Sequence, residues 1–192
     1  MINKGNRTRQ FIIENAISVF SKKGYTAVTM KDICESCQMS RGGVYGHFSS
    51  TKEIFIAILD NDLKLNRAIV EESIQKKVPA IRILEAYFKQ EIKIIFSEQR
   101  GLYFATHEFA FAEVDQRERM NQRLKESIHI LMLILTYGQE TQAFKKFDKF
   151  NKEVVATHII YFMDSLKTSS SILTMPENEI MKQVGLLKEL II

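Results

Sequence analysis

Between Thr29 and Lys52 the chain reads TMKDICESCQMSRGGVYGHFSSTK. This leaves room for two short helices, a tight turn, and the start of a third. Thr29 is placed to cap the first helix, and Asp32 three residues on closes a variant capping box. Ile33 and Cys37 lie four apart and share one face. Gln38 and Met39 make the turn, and Ser40 caps the second helix, about Arg41 to Phe48. That helix turns Val44 and Phe48 inward and shows Arg41, Gly42, Tyr45, Gly46 and His47 on its other face. Ser50-Thr51-Lys52-Glu53 then fits a capping box that opens a third helix.

The second helix is costly for a structural element. Gly42, Gly43 and Gly46 would each cost up to about 1 kcal/mol relative to Ala in a helix interior. A helix that only packs gains nothing from this. One that brings its backbone close to another surface does gain, because no side chain stands in the way. Arg, Tyr and His supply donors and rings for phosphates, sugars and base edges. The spacing suits a helix-turn-helix whose second helix enters the major groove of DNA.

Residues from about Ile13 to Leu59 resemble the DNA-binding domain of TetR-type transcriptional regulators (TetR/AcrR type). The matching features are Ile13, Ala16 and Phe20, then Gly24-Tyr25, Thr26 and Thr29, followed by Asp32-Ile33, Ser40-Arg41-Gly42, Val44-Tyr45, His47-Phe48, Lys52-Glu53 and Phe55. Cys34 and Cys37 stand where small alanines are usual, Gln38 replaces the common turn glycine, and Gly46 offers no side chain for a base contact. The resemblance implies a repressor released from its operator by a small molecule. It also implies that Thr29, Tyr45, His47 and Lys52 hold phosphates, while Arg41, Gly42 and Gly43 lie nearest the bases. Residues 1–8 read as a polar, basic arm, and the resemblance implies that Lys4, Arg7 and the adjoining Arg9 reach the minor groove, the alternative being a solvated tail.

The chain has 192 residues, enough to bury a sizeable core in one unit or two small ones. Charged residues make up 26% and apolar residues 45%, which excludes disorder. The net charge is +4. Residues 1–52 hold eight Lys or Arg against three Asp or Glu, and residues 53–192 hold nineteen against twenty. Positive charge is therefore concentrated, along the chain, in the segment assigned to DNA. No run of eighteen apolar residues occurs and the first ten residues lack a signal-peptide core, so a cytoplasmic protein with no membrane partner is expected. Cys34 and Cys37 supply two ligands, too few for a zinc site. They read as small buried hydrophobes in a helix, with a thiol redox switch as the alternative. No nucleophile motif, P-loop, dinucleotide fingerprint or H-E-x-x-H is present, so neither an enzyme nor a cofactor is expected.

The rest of the chain is expected to be helical throughout, giving an all-α protein of about nine helices. The expected organisation is a DNA-binding domain at 1–52, with the next helix contributing to about residue 59, and a ligand-binding and dimerisation domain at 53–192. A first helix covers about Thr8 to Lys23 and ends at Gly24. The fourth covers about Thr51 to Lys77 and joins the two domains without a linker. Others cover about Pro79 to Glu98, Leu102 to Ala112 after a break at Gly101, and Asp115 to Tyr137, ending at Gly138. Helices 8 and 9 cover about Lys152 to Leu173 and Glu177 to the end. Ile180, Val184, Leu187 and Ile191 form a stripe on the last. The resemblance implies a homodimer through helices 8 and 9, which suits a two-half-site reader. Tyr87, Glu91, Tyr103, His107, Glu108, Phe111, His129 and His158 are the candidate ligand-binding groups of an aromatic cavity. The alternative is a filled core with satisfied polar groups and a protein that binds DNA without an effector.

Overall fold

In a computed structural model the chain is described over residues 4–144 and 151–192, with the side chains of Lys4 and Leu190 set aside. The described residues form nine α-helices: α1 (Lys4–Lys23), α2 (Met30–Cys37), α3 (Arg41–Tyr45), α4 (Thr51–Gln75), α5 (Ala80–Ile95), α6 (Gly101–Ala112), α7 (Arg117–Glu140), α8 (Lys152–Ile172) and α9 (Glu177–Ile191). Single 3-10 turns precede α6 and α7. The polar stretch expected up to Lys149 lies partly outside the described residues.

The local signals at the helix ends act as their chemistry requires. Thr29 Oγ1 accepts from the Asp32 backbone N–H at 3.3 Å, and the Asp32 carboxylate accepts from the Thr29 N–H at 2.8 Å. Lys23 Nζ lies 2.5 Å from the same carboxylate. Gln38 closes α2 in the left-handed conformation. Ser40 Oγ accepts from Gly43 N–H at 3.2 Å and opens α3. At α4, Ser50 Oγ accepts from Glu53 N–H, while Glu53 reaches back to Ser49 rather than to Ser50, accepting from its N–H at 2.7 Å.

Two compact units result: Met1–Asp62 with Glu98–Arg117, and Leu63–Ser97 with Glu118–Ile192. The division expected after residue 52 follows the order of the chain, whereas packing extends the first unit to Asp62 and draws α6 into it. The reason is aromatic. Phe109 of α6 meets Tyr25 at 5.0 Å and Phe55 at 5.1 Å between ring centroids, and Phe55 meets Phe20 at 4.8 Å. All four rings are buried among Ile12, Ile13, Ala16, Ile33, Val44 and Phe48. Edge-to-face pairs of this kind add about 0.5–1.5 kcal/mol each beyond their area.

Gly101 opens α6 rather than breaking the chain: a Cβ there would collide with the Ser21 carbonyl of α1. Gly138 lies inside α7 rather than at its end, because a Cβ would fall into the Phe144 ring.

The second unit is built around Leu84, Phe88 and Ile95 of α5, with Leu131 and Leu135 of α7, Ile159 and Met163 of α8, and the α9 stripe. Ile180, Val184, Leu187 and Ile191 are all buried there, as their spacing requires. An ion pair sits in this core: Lys167 Nζ bonds the Glu91 carboxylate at 2.7 Å, with both side chains buried.

Candidate nucleic-acid interface

The α2–turn–α3 pair is held from beneath. Val44 and Phe48 are fully buried, and Arg9 stacks its guanidinium 4.5 Å above the Phe48 ring. Residues 4–8 belong to the first turns of α1, so Arg7 and Arg9 are helical residues and not part of an extended arm. The α3 helix is about one turn shorter at its C-terminus than its pattern suggested, because Gly46 and His47 leave the helix in a turn whose N–H groups bond Gly42 and Val44 carbonyls. Glycine at 46 supplies little helical drive to carry α3 on.

Above this support, Arg41, Gly42, Tyr45 and Gly46 face solvent, with Tyr45 51% exposed. Gly43 and His47 are half-buried at the edge of the same surface. Gly43 has the Met39 methyl 3.1 Å from where its Cβ would be, while Gly42 has open space. Six of the seven expected DNA-facing residues thus lie on or beside α3 or, for Thr29, cap the helix before it. Thr29 uses its hydroxyl within the capping box, donating to Asp32 at 2.8 Å.

Lys52 is differently placed. Its ammonium bonds Glu113 at 2.8 Å and Asp115 at 2.8 Å, both from the segment after α6. The Asp115 and Glu113 bonds raise the Lys52 pKa, and Lys52 in turn holds both carboxylates below their ordinary range. Glu113 also accepts from Tyr25 Oη at 2.6 Å, and burial together with that carboxylate pushes the phenol upward. Sequence reasoning missed this network, since its members are separated by more than sixty residues.

The candidate ligand groups divide between the two units. Tyr103, His107, Glu108 and Phe111 belong to the first, and Tyr87, Glu91, His129 and His158 to the second. Glu108 accepts from the Tyr25 N–H at 2.6 Å and from Thr26 Oγ1 at 3.2 Å, which braces the turn after α1. That turn depends on Gly24, whose φ of +78 admits the carboxylate against its backbone. Phe111 is 84% exposed, and His129 and His158 are exposed as well. Tyr87, Tyr103 and His107 are half-buried, and Glu91 is the buried partner of Lys167. Lys167, missed by the sequence reading, is the buried cation paired with Glu91 in the second unit. Its only signal was a lysine within the apolar pattern of α8.

Cys34 and Cys37 are free thiols, both buried in α2. Burial first, and Cys34 second, push the Cys37 thiol up, away from the reactive thiolate. No helix among the described residues is long and apolar enough to cross a membrane.

Residues 12–58 match the family model for bacterial regulatory proteins, tetR family. The chain is 43% identical over 68 residues to YfiR, an HTH-type transcriptional regulator of Bacillus subtilis (strain 168), a stretch covering 33% of each protein. It is 32% identical over 74 residues to the probable acrEF/envCD operon repressor of Escherichia coli (strain K12), covering 38% of this chain and 31% of the repressor. These matches span about a third of the relatives' length. The fold extends further: the transcriptional regulator FadR from Bacillus subtilis, in complex with stearoyl-CoA, superposes with a TM-score of 0.72 at 20% identity, over 95% of this chain and 97% of that one. Residues 12–58 thus carry the N-terminal domain of the tetR family of bacterial regulatory proteins, and the described residues share the all-helical fold of the FadR regulator.

Proposed function

We propose that the protein is a homodimeric transcriptional repressor that inserts α3 into the major groove of an operator and leaves it when a small molecule binds the second unit. The observation that carries the reading is the exposed Arg41, Gly42, Tyr45 and Gly46 surface, anchored by buried Val44 and Phe48. Arg41 and the glycine backbone approach the bases, while Tyr45, His47 and Thr29 contact phosphates. Two such helices in a dimer read half-sites about one turn apart, roughly 34–36 Å.

Helices α8 and α9 are the proposed dimer interface. Their inward stripes are used within the subunit, so the contact belongs to the outer face. Val154, Tyr161 and Ile172 of α8 and Met181 and Leu186 of α9 are exposed there. His158 lies in the same row.

The effector is proposed to act through the second unit by shifting the population toward a form whose recognition helices no longer match the groove. A long-chain acyl-CoA is the first compound to try, because a regulator of the same fold carries stearoyl-CoA. The test is fluorescence anisotropy with the intergenic DNA beside the chain's own gene, titrated with salt and then with stearoyl-CoA. Binding with two subunits per site and a steep salt slope supports the repressor. Weak, sequence-blind binding at every salt concentration argues against it.

A further inference from the structure

The sequence places an excess of five positive charges in residues 1–52, yet the folded unit that contains them is electroneutral. Packing adds residues 53–62 and 98–117 to that unit. These bring seven carboxylates, Glu108, Glu113 and Asp115 among them, against two arginines. The unit then holds ten Lys or Arg and ten Asp or Glu. The cancellation is direct at one point. Lys52, in the first turn of α4 close in sequence to the recognition helix, has two carboxylates on its ammonium, with three contacts between 2.8 and 3.0 Å. A carboxylate pair of this geometry offers a lysine what a DNA phosphate offers: anionic oxygens at hydrogen-bonding distance.

The segment that supplies the carboxylates is itself anchored. Glu113 is fixed by Tyr25 Oη at 2.6 Å, and Tyr25 in turn is wedged between the Phe55 and Phe109 rings. Five residues earlier on the same stretch of chain, Glu108 bonds the Tyr25 backbone. A shift of the C-terminal end of α6 against α4 would move Glu113 and Asp115 away from Lys52.

We propose that Glu113 and Asp115 act as internal phosphate mimics that latch Lys52, so that the position of the α6–α7 segment sets how much positive charge the helix-turn-helix presents to DNA. The inference rests on the DNA-binding reading above. In the latched state Lys52 releases few counterions on DNA binding. In the unlatched state it adds one phosphate contact per subunit, because its charge is no longer neutralised internally.

The experiment uses the full chain and a mixed-sequence duplex of about three helical turns, which avoids dependence on any one operator. Association is measured by anisotropy across a range of salt concentrations for four proteins: the natural chain, Asp115→Asn, Glu113→Gln with Asp115→Asn, and that double variant with Lys52→Gln added. The amide that replaces the Glu113 carboxylate can still accept from Tyr25, and Asp115→Asn leaves that bond untouched, so folding is preserved in at least one arm. The expected result is tighter binding by the double variant and a log K against log salt slope steeper by about 0.9 per subunit. Asp115→Asn should fall between, and Lys52→Gln should return the slope to near that of the natural chain. A slope that does not change, or a gain that survives Lys52→Gln, overturns the latch while leaving the DNA-binding reading standing. A natural chain that binds no duplex at any salt concentration overturns both.

Discussion

The carbonyl oxygen of Ser21 in α1 occupies the space in which a Cβ on Gly101 would lie, so α1 and α6 approach as closely as glycine permits. The obstacle is backbone, which cannot swing aside as a side-chain tip can. Gly101→Ala should destabilise the protein by about 1–3 kcal/mol, the usual range for overpacking. Urea denaturation monitored by circular dichroism measures this. A variant as stable as the natural chain would mean that α6 can move away from α1 without loss.

Gly42 is the contrasting case, with open space where its Cβ would lie. Gly42→Ala should leave stability equal or higher, by up to about 1 kcal/mol, because alanine is the better helix former. It should nevertheless weaken DNA binding tenfold or more, about 1.4 kcal/mol, if the backbone of α3 meets the groove at that point. Stability and affinity then move in opposite directions. Unchanged affinity would remove Gly42 from the interface.

Asp32 joins the α1 end to the α2 cap. Its bond to Lys23, followed by those to the Thr29 N–H and hydroxyl, lowers its pKa from 3.8 to about 2. A depressed carboxylate stabilises the folded state above its unfolded pKa and loses that contribution as pH falls toward the folded one. Asp32→Asn should cost about 1 kcal/mol at neutral pH, the scale of a helix cap. The gap between the two proteins should narrow from about pH 4 downward and close near pH 2. Thermal melts across that range would show it, and a gap independent of pH would refute the ionic part.

Glu91 and Lys167 face one another, both buried, in the core of the second unit. Lys167→Met strands the carboxylate and should cost about 3–5 kcal/mol, while Glu91→Leu with Lys167→Met should recover most of that loss. Chemical denaturation of both variants separates the pair from its parts. If the double variant is as unstable as the single one, the two side chains contribute more than their mutual neutralisation.

The sequence by itself determined most of what depends on neighbours within one or two helical turns, though not where α1 begins or where α3 ends. Thr29 and Ser40 were legible as caps because their partners are three residues away along the chain. Val44 and Phe48, and the α9 row of Ile180, Val184, Leu187 and Ile191, were legible because a helix returns every fourth residue to one face. The surface of Arg41, Gly42 and Tyr45 followed as the complement of that burial. Only the tertiary structure decided what residues far apart do to each other. It drew α6 to the first unit through Phe109, made Gly101 a point of close approach, and gave Glu108 a bond to the Tyr25 backbone. It also turned a basic N-terminal segment into a neutral unit with Lys52 held by Glu113 and Asp115. Charge counted along a chain adds in sequence order, but a phosphate responds to charge in space, and packing alone sets which carboxylates stand beside which lysines.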